Sequence, residues 1–169
     1  ARAHNVQLKT LQCSFENLGE SIGERFAAVF VLGNSLPHLL SAGSLEKAIN
    51  SFATVLEPGG LLMIQILNFE RILARHEVVQ NEKQVGTRTF VRSYQYDADG
   101  IVFNIVTREQ ATAAPEEKIQ AIRLRPLLPG ELVTILGQLG FNDINLFGSV
   151  SLAPFDPVGS KDLVVLATK

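Results

Sequence analysis

The sequence has few of the residues and patterns that mark disulfide-rich, nucleic-acid-binding or membrane proteins. A single cysteine among 169 residues cannot form an internal disulfide, and this usage fits a reducing compartment such as the cytoplasm. Lys and Arg number 15 against 17 Asp and Glu, so no basic surplus exists to neutralise nucleic-acid phosphates. No apolar run approaches the ~20 residues that a membrane-spanning helix needs. Since hydrophobic residues make up 46% of the chain, we expect one globular domain with a buried core.

The first half of the chain alternates strand-like and helix-like patterns. Residues 6–11 alternate apolar and polar side chains, which predicts a strand, and residues 27–32 form the continuous apolar run of a buried strand. Residues 44–56 carry apolar side chains at helical spacing, with Ser44 as the expected N-cap. A second buried strand is predicted at residues 61–67. The order strand, helix, strand predicts a right-handed βαβ unit with two parallel strands.

The middle of the chain changes to an antiparallel pattern. Residues 87–96 are rich in β-branched and aromatic side chains, and the turn-forming residues 97–100 lead into a second strand at 101–108. A third strand is predicted at residues 118–125. Because this segment is too short to form a core of its own, we interpret residues 87–125 as an insertion in one domain rather than as a second domain.

The α/β pattern then resumes and ends in an antiparallel strand. Pro129 suits the first turn of a helix, and Gly140 suits the cap at its C-terminal end. Strand-like residues 142–148 follow, and residues 163–167 form a last buried strand. Since the connection over residues 149–160 is short, the last strand is predicted to run antiparallel to its neighbour. The predicted fold class is therefore α/β, with an antiparallel insertion and an antiparallel last strand.

Three segments that follow predicted strands carry side chains suited to ligand contact, because ligands of open α/β sheets bind at the carboxyl ends of the strands. These segments are residues 13–15 (Cys-Ser-Phe), 33–35 (Gly-Asn-Ser) and 68–71 (Asn-Phe-Glu-Arg). Gly33 permits a positive φ angle or a close approach of the backbone to a ligand. The alternative for this glycine is an ordinary turn that leads toward Pro37.

Single residues add two further hypotheses. Arg92 shares a strand face with Phe90, Tyr94 and Tyr96, where its guanidinium is suited to hold a carboxylate in surroundings that exclude water. The alternative is an arginine that packs over an aromatic ring at the surface. His38 is either a contact to a substrate or an exposed residue of a helical turn.

Three motifs resemble those of a known family. Residues 33–38 read Gly-Asn-Ser-Leu-Pro-His, residues 56–60 read Leu-Glu-Pro-Gly-Gly, and residues 68–73 read Asn-Phe-Glu-Arg-Ile-Leu. At this spacing they resemble the central part of class I S-adenosylmethionine-dependent methyltransferases, and in particular the glycine and sarcosine N-methyltransferases. The resemblance covers nearly the whole chain, since the last helix and the final antiparallel strands also fit the Rossmann-like methyltransferase sheet.

The resemblance implies an enzyme that transfers a methyl group from S-adenosylmethionine to a small molecule, with an amine or an amino acid as the expected acceptor. The antiparallel insertion then forms a cap over the substrate. No metal ion is implied, and no catalytic residue is assigned, because the cofactor supplies the difficult chemistry. The residues expected to bind the cofactor are Cys13, Ser14, Phe15, Leu32, Gly33 and Asn34, and those expected to contact the acceptor are His38, Asn68, Arg71 and Arg92.

The chain also departs from the family pattern. The family's glycine-rich loop and ribose-binding acid do not occur in these 169 residues, so we expect the beginning of the protein to lie outside this sequence. Cys13 stands where an acid often contacts the adenine, and Ala27 stands where an aspartate is common. Cys13 is expected to be inert rather than a nucleophile, because the sequence places no histidine partner for it. Two alternatives remain, a non-catalytic binding or regulatory domain on the same scaffold, and another nucleotide-binding Rossmann protein, which the antiparallel last strand disfavours.

The cofactor affinity of the chain itself is the first testable prediction. Because the glycine-rich loop and the ribose-binding acid supply most of the polar contacts to the cofactor in the family, the 169-residue chain should bind S-adenosylmethionine weakly or not at all. Isothermal titration calorimetry on the chain measures this affinity. A micromolar dissociation constant, about −8 kcal/mol, would show that the predicted cofactor site is misplaced.

Overall fold

Two four-stranded sheets organise the part of the chain that the computed structural model describes, which comprises residues 8–97, 100–109 and 116–169. The first sheet has the strand order β1-β2-β8-β7, with β1 at Phe26–Val31, β2 at Leu56–Leu67, β7 at Asn142–Phe147 and β8 at Asp162–Thr168. The second, which we call the cap sheet, has the order β3-β4-β5-β6, with β3 at Val79–Val85, β4 at Arg88–Asp97, β5 at Gly100–Glu109 and β6 at Glu116–Leu124. The α-helices of the described ranges, none of which is long and apolar enough to cross a membrane, are α1 (Leu18–Ser21), α2 (Ala42–Val55), α3 (Phe69–Arg75) and α4 (Pro129–Gln138).

The first sheet contains the predicted parallel pair and the predicted antiparallel last strand. β1 runs parallel to β2, with Val31 opposite Ile64, and α2 connects the two strands as a βαβ unit. β8 lies between β2 and β7 and is antiparallel to both. β2 begins earlier than predicted, at Leu56, and the register shifts between Phe26 and Ala28 of β1 to accommodate the additional residues. The α/β fold class expected from the sequence is therefore observed.

Helix α2 presents one apolar stripe to the core. Ser41 precedes the helix with an extended backbone, and its side-chain oxygen accepts a hydrogen bond from the Ser44 amide at 3.0 Å. The prediction of Ser44 as the N-cap was wrong, because the helix has already begun at Ala42 and Ser41 has the backbone conformation that an N-cap requires. The predicted apolar spacing is confirmed by the buried side chains, which are Leu45, Ala48, Ile49, Phe52 and Val55.

The cap sheet contains one strand more than the sequence predicted. β3 precedes the predicted strands and pairs antiparallel with β4. Its sequence, Val-Gln-Asn-Glu-Lys-Gln-Val, has apolar residues only at its ends, so neither alternation nor a continuous apolar run marked it as a strand. β4, β5 and β6 follow as the predicted antiparallel meander. Asp97 pairs with Gly100 at the predicted hairpin, whose central residues 98–99 lie outside the described residues.

The strand predicted at residues 6–11 is not observed where the structure describes this segment. Its first two residues lie outside the described residues, and residues 8–11 belong to no strand. Leu8 and Leu11 are 69% and 57% exposed. Residues 8–11 have no neighbouring strand among the described residues and therefore form no ladder of backbone hydrogen bonds. The alternating pattern alone was not sufficient to form a strand.

Both sheets contribute to one buried hydrophobic cluster. Side chains of α2, β2, α4 and β8 supply most of this cluster. Tyr94, Ile101 and Leu124 extend it into the cap sheet. Because burying apolar area is the main favourable contribution to folding, the shared cluster holds the cap sheet against the first sheet.

Asn68 joins helix α3 to the loop that precedes β8. The residue is fully buried, and its side-chain oxygen caps α3 by accepting a hydrogen bond from the Arg71 amide at 3.3 Å. Its side-chain nitrogen donates to the carbonyl oxygens of Pro157 and Ser160, at 2.9 and 3.0 Å. One side chain therefore satisfies polar groups from two segments that are distant in sequence.

Replacement of Asn68 should weaken this junction. Asn68→Ala should lower the free energy of unfolding by on the order of 3 kcal/mol, because it removes the helix cap and the donor of the hydrogen bonds to the Pro157 and Ser160 carbonyl oxygens. Asn68→Asp should also destabilise the chain, since a carboxylate keeps the cap but faces the two carbonyl oxygens. Urea unfolding followed by circular dichroism measures both changes, with Asn50→Ala on the exposed side of α2 as the control. If Asn68→Ala unfolds at the same urea concentration as the control, these hydrogen bonds do not hold the junction.

Candidate functional site

A cavity of about 470 Å³ lies where the carboxyl ends of β1 and β2 meet the inner face of the cap sheet. The first sheet and the loop after β1 supply one side of this cavity through Gly33, Asn34, His38, Gln65 and Leu67. The cap sheet supplies the other side through Arg92, Phe103, Ile105, Ile122 and Leu124. Four of the residues that the sequence singled out therefore lie around one space, namely Gly33, Asn34, His38 and Arg92.

The loop after β1 has a constrained conformation at the edge of the cavity. Gly33 and Asn34 both have positive φ angles, 77° and 60°, which glycine and asparagine adopt more readily than other residues. The Gly33 amide donates to the side-chain oxygen of Gln65 at 2.8 Å, and Gln65 in turn donates to Asp162 of β8 at 3.0 Å. The side-chain oxygen of Asn34 accepts from the Leu67 amide at 3.0 Å. These hydrogen bonds fix the loop to the end of β2.

His38 lies at the end of a short 3-10 turn, Leu36–His38, beside the cavity. Leu36 and Pro37 of this turn are buried, whereas His38 is exposed. The Pro37 carbonyl oxygen accepts a hydrogen bond from the Arg125 amide, 2.8 Å away, just beyond β6. The turn that carries His38 is therefore fixed both to the core and to the chain that leaves the cap sheet.

Arg92 supplies a positive charge to the cap-sheet side of the cavity. It is exposed on β4, opposite Ile105 of β5, and no described residue forms a hydrogen bond or an ion pair with its side chain. Other arginines on or beside the cap sheet do have carboxylate partners, in the pairs Arg88–Glu109, Arg108–Glu117, Arg123–Asp97 and Arg125–Glu131. Within the described part of the chain, the Arg92 guanidinium is thus available to an anion that the cavity receives.

Two residues predicted to contact the acceptor have their polar groups engaged elsewhere. The side chain of Asn68 caps α3 and holds the loop before β8. The Arg71 guanidinium forms a largely buried ion pair with Glu77, with Nε 3.0 Å from Oε1 and Nη2 3.2 Å from Oε2. Neither residue lines the 470 Å³ cavity, so their contact with an acceptor stays a prediction. The role that the geometry shows is to hold α3 and the segment that follows it.

The residues predicted to bind the cofactor are divided between two places. The loop after β1 lines the 470 Å³ cavity, whereas Ser14 lines a separate cavity of about 680 Å³ between α1 and α2. Cys13 and Leu32 are exposed, and Phe15 packs edge-on against Phe52 of α2 with ring centroids 5.5 Å apart. The described residues do not bring both segments into one cavity, so an adenine site between them stays a prediction.

The apolar wall of the cavity was not found from the sequence. Phe103 and Ile105 alternate along β5, and Phe103 pairs with Ile122 of β6, so these side chains share one face of the cap sheet. The period-two spacing was visible, but it does not tell which face turns toward the first sheet. Gln65 was missed for a related reason, because its role depends on the loop that folds back onto it.

Two tyrosines of β4 pack against the segment that leads from α3 into the cap sheet. Tyr96 donates a hydrogen bond to the Glu77 carbonyl oxygen at 2.6 Å, and its ring stacks on that of His76 with centroids 4.1 Å apart. Tyr94 is 3% exposed, and its hydroxyl has no hydrogen-bond partner among the described residues. Burial, reinforced by the negative charge of Glu77, raises the pKa of Tyr94 from 10.0 to about 12. The sequence grouped both tyrosines with Arg92, but in the structure only Arg92 lines the cavity.

The two tyrosines should respond differently to removal of the hydroxyl. Tyr94→Phe should leave the free energy of unfolding at neutral pH unchanged or raise it, because the variant removes a buried hydroxyl that has no partner. Tyr96→Phe should lower it by about 1 kcal/mol, because a hydrogen bond to the Glu77 carbonyl is lost.

The stability of the chain should also depend on Tyr94 in alkaline solution. The unfolded chain loses this proton from about pH 10, whereas the folded chain keeps it to about pH 12, so the free energy of unfolding should fall across this window. The fall should be smaller in Tyr94→Phe. Urea titrations across the window measure it, and an equal fall in both chains would contradict the assignment to Tyr94.

Comparison with known sequences connects the chain to N-methyltransferases. It is 26% identical over 146 residues to the glycine/sarcosine N-methyltransferase of Aphanothece halophytica, which covers 83% of this chain and 51% of that protein. It is 24% identical over 148 residues to the protein of the same name from Parasynechococcus marenigrum, which covers 88% of this chain and 51% of that protein. The chain therefore spans about half the length of the curated relatives it matches. No family model matches the chain.

Comparison with solved structures shows the fold. An S-adenosylmethionine-dependent methyltransferase from Clostridium acetobutylicum matches with a TM-score of 0.81 at 12% identity, over 99% of this chain and 67% of that one. The amino pentose methyltransferase CalS10 from Micromonospora echinaspora, solved with bound S-adenosylmethionine, matches with a TM-score of 0.67 at 18% identity, over 87% of this chain and 59% of that one. The class I methyltransferase fold with its Rossmann-like sheet, predicted from the sequence motifs, is thereby confirmed. The predicted resemblance to glycine and sarcosine N-methyltransferases is confirmed by the sequence relatives.

Proposed function

Starting from this fold, we propose that the protein moves the methyl group of S-adenosylmethionine to a small-molecule acceptor, with an amine nitrogen as the atom that receives it. The observation that carries the proposal is the cavity at the carboxyl ends of β1 and β2, covered on its other side by the cap sheet. In open α/β sheets this edge is where ligands bind. The sequence relatives named glycine/sarcosine N-methyltransferase support the same reaction class.

The loop after β1 fits the role of a cofactor contact. A Cβ atom added at Gly33 would have no atom within 4 Å, so a ligand has space to approach the backbone closely there. Leu32 is 51% exposed beside it and offers an apolar surface for one face of an adenine ring. When bound, S-adenosylmethionine supplies an electrophilic methyl group on its sulfonium. We assign the cofactor contacts to Cys13, Ser14, Phe15, Leu32, Gly33 and Asn34.

The acceptor contacts follow from the side chains that surround the cavity. Arg92 binds an anionic group of the acceptor, because a guanidinium donates two parallel hydrogen bonds to a carboxylate. His38 contacts the acceptor from the first-sheet side. The apolar side chains of the cap sheet exclude water, and holding the acceptor in line is most of what methyl transfer requires from a protein. Asn68 and Arg71 act through α3, whose position they stabilise.

A non-catalytic binding domain on the same scaffold is the alternative, and the relatives that are named as enzymes do not favour it. The test is transfer of labelled methyl from S-adenosylmethionine by the full-length protein to a panel of amines and amino acids. Formation of S-adenosylhomocysteine that depends on an added acceptor supports the proposal. Cofactor binding without transfer to any acceptor of the panel would favour the binding domain.

Arg92 variants of the full-length protein should change the acceptor KM and leave the cofactor KM unchanged. Arg92→Ala should raise the acceptor KM by roughly 30- to 150-fold, which corresponds to about 2–3 kcal/mol for a charged hydrogen bond. Arg92→Lys should recover part of the loss, because lysine keeps the charge but lacks the planar fork. Steady-state kinetics with each substrate varied separately measures both constants.

Arg88→Ala is the matched control for these kinetics. Arg88 lies on the same strand and pairs with Glu109, and it does not line the cavity. Its replacement should change neither KM. An unchanged acceptor KM in Arg92→Ala, or a rise in the cofactor KM alone, would show that Arg92 is a surface residue with no part in acceptor binding.

A further inference from the structure

The cap-sheet side of the cavity is apolar apart from one cation. Phe103, Ile105, Ile122 and Leu124 supply the apolar surface, and Arg92 supplies the charge. Ile122 is 37% exposed, although it shares the face of the cap sheet that lines the cavity. Apolar side chains in this position favour a ligand that removes them from water.

The opposite side of the cavity offers a ligand few free hydrogen-bond acceptors. The side-chain oxygen of Gln65 already accepts from the Gly33 amide, and that of Asn34 already accepts from the Leu67 amide. No Asp or Glu is among the described residues that line the cavity. An ammonium group would lose its water here and meet no carboxylate among the described residues, so the positive charge of an acceptor amine adds little to binding, and the affinity depends on Arg92 and the apolar wall.

The size of the cavity also favours an acceptor larger than glycine. Its volume of about 470 Å³ lies within the range of sites that bury drug-sized ligands. We assign the part of the cavity beside Gly33 and Asn34 to the cofactor and the part beside Arg92 and the apolar wall to the acceptor. Glycine has no side chain, so it would leave that wall exposed to water.

We therefore propose that the acceptor amine belongs to an amphipathic carboxylate, whose anionic group pairs with Arg92 and whose hydrocarbon or aromatic body packs on Phe103, Ile105, Ile122 and Leu124. The inference rests on the proposed function for the location of the site. The proposed acceptor differs from glycine and sarcosine, the two molecules for which the sequence relatives are named. Each methylene group that the acceptor buries on this wall should strengthen binding by about fourfold.

Equilibrium binding without cofactor tests this inference independently of methyl transfer. The probes are 3-phenylpropanoate, glycine and 3-phenylpropylamine, added to the isotope-labelled full-length protein and followed by NMR, with Arg92 and Ile122 as reporters. We expect 3-phenylpropanoate to shift both signals and to bind at least tenfold more tightly than the other two probes. Arg92→Ala should weaken the binding of 3-phenylpropanoate at least tenfold.

Two aspartate variants of β6 distinguish the cavity face of this strand from its other face. Ile122→Asp places a negative charge in the cavity and should weaken the binding of 3-phenylpropanoate at least tenfold. Ile119 lies on the same strand, is 60% exposed, and pairs with Val106 rather than with a residue of the cavity wall. Ile119→Asp should therefore leave binding unchanged. The dispersion of the NMR spectrum shows whether each variant is folded, so a loss of binding is not confused with unfolding.

Each contrary outcome overturns a defined part of the inference. Glycine that binds as tightly as 3-phenylpropanoate would overturn the apolar part, and equal binding of 3-phenylpropylamine would overturn the anionic part. A folded chain that binds none of the probes would overturn both parts. Methylation of glycine by the full-length protein, together with no binding of 3-phenylpropanoate, would leave the proposed function intact and remove only this inference. Binding of 3-phenylpropanoate without methyl transfer to any acceptor of the panel would remove the proposed function and leave only the ligand class of the cavity, an amphipathic carboxylate, supported.

Discussion

The hydrogen bonds between the loop after β1 and the end of β2 determine where the site can form. Gly33 and Asn34 turn the chain sharply through positive φ angles, and their bonds to β2 hold that turn in one position. Because Gln65 also donates to Asp162, the same arrangement ties the ends of β1, β2 and β8 together. The 3-10 turn that carries His38 begins soon after this loop. A change in the loop would therefore move the histidine and the edge of the cavity together.

The cap sheet depends on the first sheet for its burial, and this dependence shapes the cavity. Tyr94, Ile101 and Leu124 belong to the same hydrophobic cluster as α2 and β2. Another part of the inner face, around Arg92 and Ile122, lines the cavity, and Leu124 belongs to both parts. If the cap sheet buried its whole inner face, no space would remain for a ligand. If it buried none of that face, no apolar burial would hold it against the first sheet.

The fold could be predicted where short stretches of sequence carry a clear apolar pattern. The site could be predicted only at single residues whose type or position was unusual. Apolar runs and helical spacing were sufficient for the βαβ unit and the last strand, whereas β3 carries no such pattern. The strand predicted at residues 6–11 failed because pairing requires a neighbour, which periodicity does not supply. Gly33 was found by its place after a buried strand, and Arg92 by its charge among aromatic side chains. Gln65 and the apolar wall were missed, because their roles depend on how distant segments fold against each other.

Two hydrogen bonds hold the cap sheet to other segments, one beside the chain that enters it and one beside the chain that leaves it. At one end Tyr96 donates to the Glu77 carbonyl oxygen, and at the other the Arg125 amide donates to the Pro37 carbonyl oxygen. A cover attached at two places does not swing open on a single hinge. We therefore expect ligands to enter along the rim between the two sheets, without a large opening motion of the cap sheet.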